Sequence, residues 1–202
     1  MNNCKYFFSN IMKIIKRNKP IGNNFYKIFY CNNLYKYKKP VMEYLFSKIL
    51  YNKNVAGIPT KTLKFYFKSK KAVVVMHRVD NFTALDNLLW NMQEDEKVAY
   101  IEEAFAKVAK MHSLGIRHGD LGLRQFVVID NSVWLFDFES AQFKFFKYMA
   151  AREIYDLFKN TKKFIGYEST NKIFRKYIQN LKASTYTKKK IEKYVYKKLQ
   201  IN

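Results

Sequence analysis

The order of hydrophobic and polar positions predicts a strand, a helix and a hairpin in the first part of the chain. In "NFYKIFY" (24–30) successive residues fall on opposite faces, and this period of two indicates a strand. "PVMEYLFSKILYNKN" (40–54) carries apolar residues at helical spacing and begins with a proline, which the first turn of a helix tolerates. "KTLKFYF" and "KAVVVMH" flank the polar turn "KSK" (68–70) and predict an antiparallel hairpin.

The second part of the chain reads mainly as helices. "TALDNLLW" predicts a short helix with Thr83 as its N-cap. "EDEKVAYIEEAFAKVAKMHSLG" has an acidic first turn, an apolar stripe at helical spacing and Gly115 after its end, all typical of a long helix. Further helices are expected from about Tyr148 onward. A strand-rich part followed by a helical part predicts an α+β fold with two lobes.

Composition limits the class of protein. With 202 residues, 49% of them hydrophobic, the chain can form one substantial core or two small lobes that share a cleft. Cys4 and Cys31 are too few for a disulfide framework and suit a reducing cytoplasm. No apolar run approaches the roughly 18 residues of a transmembrane helix, and no secretory cleavage site is visible. The expected location is therefore the cytoplasm.

The net charge of +22 predicts attraction to polyanions, whether nucleic acid, nucleotide phosphates or an acidic lipid surface. The charge does not identify which of these polyanions binds. The alternative is that the lysine-rich composition is a bias without a function. The basic tail "TKKKIEKYVYKKLQ" (187–200) is either a solvated terminal helix or a contact with an anionic membrane. Near the amino terminus, four apolar residues share one helix face that could lie on such a membrane or belong to the domain: Phe8, Ile11, Met12 and Ile15.

The segment "IRHGDLGLRQFVVIDNSVWLFDFES" (116–140) holds the candidate chemistry. Asp120 follows the long helix, and Gln125 stands five residues later, just before the apolar "FVVI". The turn "DNS" (130–132) then reverses the chain into "VWLF", which ends at Asp137. Antiparallel pairing of the two apolar stretches would bring both carboxylates to one edge.

These residues suit phosphoryl transfer. That reaction needs one carboxylate to orient the attacking hydroxyl, and a second carboxylate with an amide or carboxylate neighbour to hold Mg²⁺. It also needs a lysine on the strand-rich lobe, braced by a helix glutamate, to contact the nucleotide phosphates. Lys27 on the first strand and Glu43 on the next helix fit that requirement.

The segment "HGDLGLRQ…LFDFES" resembles the catalytic and metal-binding loops of the protein-kinase-like superfamily. With "FYKIFY", "MEYLFSKILYNKNVAGIPT", "MHSLGIRHGDL" and "AREIYDL", the chain from about 24 to 160 is most similar to the Kdo/heptose kinases of the lipopolysaccharide core. The resemblance implies a two-lobed kinase-like fold, with an N-lobe at 1–79 and a C-lobe at 80–202. It further implies ATP and Mg²⁺ as cofactors, an anionic sugar or glycolipid as acceptor, and a place at the inner face of the cell membrane.

The resemblance also assigns roles to individual residues. They are Asp120 as catalytic base, Gln125 and Asp137 as Mg²⁺ ligands, Lys27 on the ATP phosphates with Glu43 bracing it, and His112 and His118 as structural histidines. Met76 and His77 fall at the start of the hinge, where backbone groups would meet adenine.

Some positions depart from the kinase pattern. Gly119 stands where many protein kinases have arginine, and no "APE"-like segment follows Asp137, so a small molecule or a glycolipid is the expected acceptor. Gln125 replaces the usual asparagine. Glu139 replaces a glycine, and is expected either to add a carboxylate or to face solvent. No glycine-rich phosphate loop precedes Lys27, since Gly22 is the only glycine there.

Three alternatives stay open on this evidence. A pseudokinase scaffold of the same fold would explain the missing glycine-rich loop. A kinase for choline-like, aminoglycoside-like or sugar-like metabolites would explain "DFESA". A small RNA-associated kinase would explain the charge, although no RNA-recognition motif is present. In "AREIYDL", Arg152 and Asp156 are expected to form a structural ion pair or core anchor rather than to bind substrate.

Overall fold

Strands dominate the first part of the chain and helices the second. The computed structural model describes residues 20–143 and 147–199, so Cys4 and the apolar positions near the amino terminus lie outside the described residues. The strands are β1 (Pro20–Ile21), β2 (Asn24–Tyr30), β3 (Thr60–Tyr66), β4 (Lys71–His77), β5 (Thr83–Ala84), β6 (Ile116–Arg117), β7 (Phe126–Ile129), β8 (Ser132–Leu135) and β9 (Gln142–Phe143). The helices are α1 (Lys38–Tyr51), α2 (Leu85–Leu88), α3 (Glu94–Ser113), α4 (Lys147–Asn180) and α5 (Thr185–Leu199). The predicted α+β order is confirmed.

The N-terminal sheet is antiparallel, with the strand order β1-β2-β4-β3. Strand β2 starts opposite His77, at the hinge end of β4, and finishes with Tyr30 opposite Lys71. Lys27 lies at the middle of the strand, opposite Val74. Since side chains alternate along a strand, Lys27 shares its face with Phe29, and α1 covers that face.

Helix α1 also joins the N-terminal sheet to the rest of the protein. Phe46 and Leu50 on α1 belong to the large hydrophobic core that the later helices build. Beyond the helix, Val55 accepts a backbone hydrogen bond from Leu135 of β8 at 3.0 Å, and Ala56 bridges to the same residue. The helix that carries Glu43 is thus fixed relative to the hairpin that carries Asp137.

Strands β7 and β8 form the predicted hairpin, with Phe126 opposite Leu135. Asp130 and Asn131 make the turn with φ of 49° and 60°, a left-handed conformation that Asp and Asn tolerate better than most residues. Strand β5 pairs with β7, and this pairing corrects the predicted N-cap. Thr83 lies opposite Val128 in the sheet, so its backbone is extended, and Ala84 is the residue that precedes α2.

The long helices form the second part of the core. Helix α3 starts with a capping box between Gln93 and Glu96 and packs against α4, and the predicted long helix is confirmed. Helix α4 is broken at Gly166, whose φ is 72°. Helix α5 folds back on α4 and buries Ile191 and Val195, so the apolar side of the basic tail is part of the core. No helix in the described stretches is both long enough and apolar enough to cross a bilayer.

The packing of α5 predicts unequal effects of two substitutions on the same helix. Ile191→Ala should lower the free energy of unfolding by about 2–5 kcal/mol, because it leaves a cavity in a closely packed core. Lys193→Ala, on the exposed side of α5, should change it by less than about 0.5 kcal/mol. Chemical denaturation measures both values, and equal small effects would contradict the packing of α5 on α4.

Candidate active site

Lys27 is the centre of an ion cluster that spans the two lobes. Its Nζ atom lies 3.0 Å from Oε2 of Glu43 and 2.5 Å from Oδ1 of Asp137, and 3.7 Å from Oε2 of Glu139. The lysine side chain is only 12% exposed. Burial alone would lower the pKa of Lys27, but the three carboxylates outweigh burial and raise that pKa above its ordinary value. Lys27 is therefore fully charged.

Glu43 braces Lys27 from α1. Its carboxylate is almost completely buried, and Ser47, one helical turn later, donates a hydrogen bond to it. Burial raises the pKa of Glu43 to about 7, although the ammonium of Lys27 opposes the shift. The contact needs both folded elements, since β2 supplies the lysine and α1 the glutamate.

Asp137, the second residue after the end of β8, contacts Lys27 from the other lobe. Its φ of 65° is in the left-handed region, which turns the chain sharply after the strand. Burial opposes ionisation, yet Lys27 outweighs it and lowers the pKa of Asp137 below its ordinary value. Glu139 adds a third carboxylate near Lys27, and it accepts a hydrogen bond from Lys39 of α1 at 2.9 Å.

Asp120 lies on a separate loop between β6 and β7. Its side chain is 55% exposed and receives two hydrogen bonds from Arg124, at 2.9 and 2.8 Å, and one from Gln125 at 3.1 Å. The short 3₁₀ turn Leu123–Gln125 brings the arginine and the glutamine back toward the carboxylate. The backbone N–H of Phe136 donates to the carbonyl of Gln125, which joins this loop to the residue before Asp137.

Glu153 of α4 holds the backbone of the Asp120 loop, and the sequence interpretation missed it. One carboxylate oxygen accepts from the N–H of Gly119 at 2.5 Å, and the other from the N–H of His118 and from His112, each at 3.1 Å. Although burial opposes ionisation, the hydrogen bond and charge of His112 lower the pKa of Glu153. The available signal was an acidic residue within the apolar stripe of a helix, beside Ile154.

The position before Asp120 admits only glycine. Gly119 has a φ of 90°, and a Cβ atom there would lie 2.3 Å from the carbonyl oxygen of Ser140. An arginine side chain has no room at this point, so the departure from the common kinase pattern has a steric cause. His118, on the other side of Gly119, is buried and contacts the carbonyl of Phe136 at 2.9 Å.

An apolar pocket opens between the N-terminal sheet and the β7–β8 hairpin, and Lys27 and Asp137 are part of its lining. The hinge residues Met76 and His77 line it, as do the following side chains from both lobes: Phe25, Ala56, Ile58, Val79, Phe82, Val127, Leu135 and Phe136. An apolar space whose lining also includes an ammonium and a carboxylate suits an apolar heterocycle with a charged extension.

The structure thus brings five of the seven residues singled out in the sequence into two groups, which a backbone hydrogen bond between Phe136 and Gln125 joins. Lys27, Glu43 and Asp137 are in direct contact, as are Asp120 and Gln125. The histidines, His112 and His118, are buried behind the Asp120 loop and contact Glu153. The catalytic, metal-binding and nucleotide-binding roles of these residues stay predictions, as does the lobe boundary between 79 and 80.

Comparison with protein families agrees with the resemblance seen in the sequence. A family model described as "Lipopolysaccharide kinase (Kdo/WaaP) family" matches residues 53–185, about two thirds of the chain. The match includes Asp120, Gln125 and Asp137, whereas Lys27 and Glu43 precede it. Comparison with curated proteins finds no match.

Among solved structures, the chain is similar to the Cydia pomonella granulovirus kinase PK-1, with a TM-score of 0.48 and 12% sequence identity. The similarity covers 69% of this chain and 57% of the viral one. The chain therefore spans little more than half the length of that kinase.

The buried position of His118 predicts a pH-dependent stability. Burial lowers the pKa of His118, and its Nδ1 has no hydrogen-bond partner among the described residues, so the folded state favours the neutral ring. This contribution is complete above the ordinary pKa of 6.5 and is lost as the pH falls through the lowered pKa. Over that interval His118 should cost up to about 1.4 kcal/mol per pH unit.

Denaturation of the wild type and of His118→Gln at pH 7.5 and 5.5 measures the effect, with His77→Gln as the exposed control. Glu43, with its pKa raised to about 7, changes stability in the opposite direction, but it is present in all three proteins and drops out of the comparison. The pH dependence should be flatter in His118→Gln alone. Identical pH dependences in all three proteins would contradict a neutral buried His118.

Proposed function

The chain belongs to the lipopolysaccharide kinase (Kdo/WaaP) family, and on that premise we propose that it transfers the γ-phosphoryl group of ATP to a hydroxyl group of an anionic glycolipid. A sugar of the lipopolysaccharide core is the acceptor that the family suggests. The observation that carries the proposal is the position of Lys27, whose ammonium contacts Glu43 and Asp137 in the lining of an apolar pocket between the lobes.

The pocket supports ATP as the donor. The adenine ring would occupy the apolar space beside Met76 and His77, and the triphosphate would extend toward Lys27. A lysine held by a helix glutamate is the arrangement that positions nucleotide phosphates in kinases. Glu43 would hold Lys27 in place. Once Asp137 binds other ligands instead of Lys27, the lysine ammonium would bind phosphate oxygens as a fixed point charge.

The donor set beside the pocket fits Mg²⁺. Asp137 and Gln125 offer oxygen ligands of the kind that Mg²⁺ prefers, and a loop hydrogen bond joins the chain segments that carry them. The described residues contain no group of three or more His, Cys, Asp or Glu that would hold a metal ion by itself. Mg²⁺ commonly completes its shell with water and substrate phosphates, so two protein ligands suffice. When bound, the ion would neutralise the phosphate charge that Asp137 and Glu139 otherwise repel.

Asp120 would orient the acceptor. Its exposed carboxylate can accept the hydrogen bond of an incoming hydroxyl and take the proton as the oxygen attacks the γ-phosphorus and the bond to ADP breaks. Arg124 and Gln125 hold the carboxylate in place before the acceptor arrives. Glu153, through the backbone of His118 and Gly119, fixes the loop that presents it. Of these residues only Asp120 takes part in the chemistry, as the base, and the others act by positioning it.

A nucleotide-free scaffold is the second candidate, and one feature favours it. The turn between β1 and β2 consists of Gly22 and Asn23, and no glycine precedes it in the sequence. Among residues 20–143 and 147–199, no glycine-rich backbone loop precedes Lys27 that could wrap the phosphates, so Lys27 and the metal ligands would have to hold them. Nucleotide binding separates the two candidates.

Binding of Mg²⁺ and ATP should raise the melting temperature of the wild type, because a ligand that binds only the folded state stabilises it by mass action. At 100 times the dissociation constant the gain is about 2.7 kcal/mol. Asp137→Asn should lose most of this gain, since it removes a charged metal ligand. Asp130→Asn is the matched control, because it makes the same chemical change in the β7–β8 turn, where asparagine tolerates the positive φ. A wild type that shows no shift would favour the scaffold.

Replacement of Asp120 tests the transfer itself. Asp120→Asn should lower kcat by about 10²–10⁴-fold, the usual contribution of a general base, and leave the shift by Mg²⁺ and ATP intact. Transfer of radiolabelled phosphate to detergent-dispersed core glycolipids measures the rate, with Asp130→Asn again as control. A parallel panel of soluble sugars, choline and aminoglycosides tests the acceptor class. Equal rates for Asp120→Asn and the wild type would remove the catalytic role of Asp120.

A further inference from the structure

The positive charge is concentrated in the N-terminal part of the chain. Residues 1–79 contain 17 lysines and arginines and a single carboxylate, Glu43, whereas residues 80–202 contain 21 cations and 15 carboxylates. Glu43 is buried beside Lys27, so no acidic side chain of this part reaches the surface. Sixteen of the 22 net charges thus belong to fewer than half of the residues, an asymmetry that indicates an anionic partner on one side of the protein.

Two segments at the end of the sheet far from the hinge make one surface, here called the lobe tip (residues 30–38 and 64–71). The N–H of Cys31 donates to the carbonyl of Lys70 at 2.7 Å, which joins the end of β2 to the β3–β4 turn. The ring of Tyr37 lies 5.8 Å from that of Phe65 and 5.6 Å from that of Phe67. The lobe tip is thus held together by backbone and ring contacts.

Aromatic side chains project from the lobe tip into solvent. Phe65 and Phe67 stack on each other, with ring centres 5.8 Å apart and planes 15° apart. Phe67 is 68% exposed, and Tyr35 and Tyr66 are exposed as well. Stacked phenylalanine rings at the end of a hairpin have no hydrogen-bonding groups to satisfy in an apolar medium, so their removal from water is favourable.

Exposed lysines lie in the same two segments as these rings. Those exposed at the lobe tip are Lys36, Lys38, Lys64, Lys68 and Lys70. None of them takes part in a salt bridge within residues 20–143 and 147–199. The remaining stretches, 1–19, 144–146 and 200–202, contain no aspartate or glutamate that could pair with them. The charge of the lobe tip is therefore available to an external anion.

We propose that the lobe tip docks on the surface of an anionic lipid bilayer. Exposed apolar rings and exposed lysines in the same segments match the two layers of such a surface, because the rings would enter the boundary of the acyl chains while the ammonium groups stay at the lipid phosphates. A nucleic acid would use the same lysines, but it stacks its bases on separate ring faces along a groove. The rings of the lobe tip instead pack on one another at a projecting hairpin end.

The lobe tip lies near the candidate active site and away from the hinge. Tyr30 is three residues beyond Lys27 on β2, roughly 10 Å along the strand, while His77 of the hinge is opposite the other end. In the first turn of α1, directly after the lobe tip, Lys39 contacts Glu139 beside Asp137. Docking would therefore place the active-site cleft close to lipid headgroups. This benefit to a lipid-borne acceptor rests on the proposed function, whereas bilayer binding does not.

Sedimentation with vesicles tests the proposal on the full chain without nucleotide. The vesicles contain either phosphatidylcholine alone or phosphatidylcholine with phosphatidylglycerol. The triple variant Lys64→Gln, Lys68→Gln and Lys70→Asn removes three charges from the lobe tip, and asparagine suits the positive φ at Lys70. The matched control, Lys189→Gln, Lys190→Gln and Lys193→Gln, removes three exposed charges from α5.

The lobe-tip variant should bind anionic vesicles at least about tenfold more weakly than the wild type, since each lysine near such a surface contributes measurably to binding. The α5 control should stay within about twofold. Equal losses in both variants would mean that net charge alone drives binding and would overturn the proposal. Unchanged binding of the lobe-tip variant would overturn it too.

Insertion of the rings is tested by Phe67→Trp. The wild type contains only Trp90 and Trp134, and its fluorescence is subtracted from that of the variant. The remaining fluorescence should shift to the blue on anionic vesicles and be quenched by lipids brominated in the acyl chain. Bound protein without shift or quenching would overturn the docking of the aromatic cluster. A lobe-tip variant that loses binding to single-stranded RNA but retains vesicle binding would assign the surface to nucleic acid instead.

Failure of this proposal is distinguishable from failure of the proposed function. Asp120→Asn should bind vesicles as the wild type does, because the substitution lies outside the lobe tip. The lobe-tip variant should phosphorylate a detergent-dispersed acceptor at the wild-type rate and lose rate only when the acceptor is embedded in vesicles. Equal rates for the two proteins on embedded acceptor would remove the link between docking and catalysis.

Discussion

The ion contacts of Lys27 determine how the two lobes meet. The ammonium group comes from the N-terminal sheet, Glu43 from α1 and Asp137 from the segment after β8, so the cluster exists only when all three elements are in register. A buried charge that loses its partner costs about 3–5 kcal/mol, which favours this arrangement strongly over one with the lobes displaced. The same contacts place three carboxylates around one ammonium group, which leaves an excess of negative charge at this point.

The Asp120 loop is held in place by residues that do not line the pocket. Glu153 holds two backbone N–H groups of the Asp120 loop, and Gly119 allows that loop to lie against the carbonyl of Ser140. Leu135 of β8 contacts Val55 and Ala56, just beyond α1, so the hairpin before Asp137 is tied to the segment that follows the helix carrying Glu43. Functional side chains held by such supporting contacts keep their geometry without help from the substrate.

Features that depend on local pattern were predictable from the sequence. Alternation gave β2, helical spacing gave α1 and α3, and the polar turns gave both hairpins. Features that depend on contacts between distant residues were not. Thr83 has the side chain of an N-cap, but its pairing with Val128 makes it part of a strand. Glu153 belongs to the helix motif that the sequence pointed to, yet only the packing of α4 behind the Asp120 loop reveals what its carboxylate binds. Likewise, nothing local shows that Lys39 pairs with Glu139.

The distribution of charge along the chain distinguishes a basic surface from an acidic cleft, which the overall composition does not reveal. If lysine enrichment were only a bias of composition, carboxylates would still be expected on both halves of the surface, but those of the N-terminal part reduce to one buried residue, Glu43. The carboxylates of the cleft instead gather around Lys27, where, on the proposed function, a metal ion would neutralise them before phosphates approach. An acidic cleft beneath a basic lobe is consistent with both proposals, a metal–nucleotide complex bound inside and an anionic surface bound outside. Since neither feature depends on the other, loss of the basic surface should leave the cleft intact.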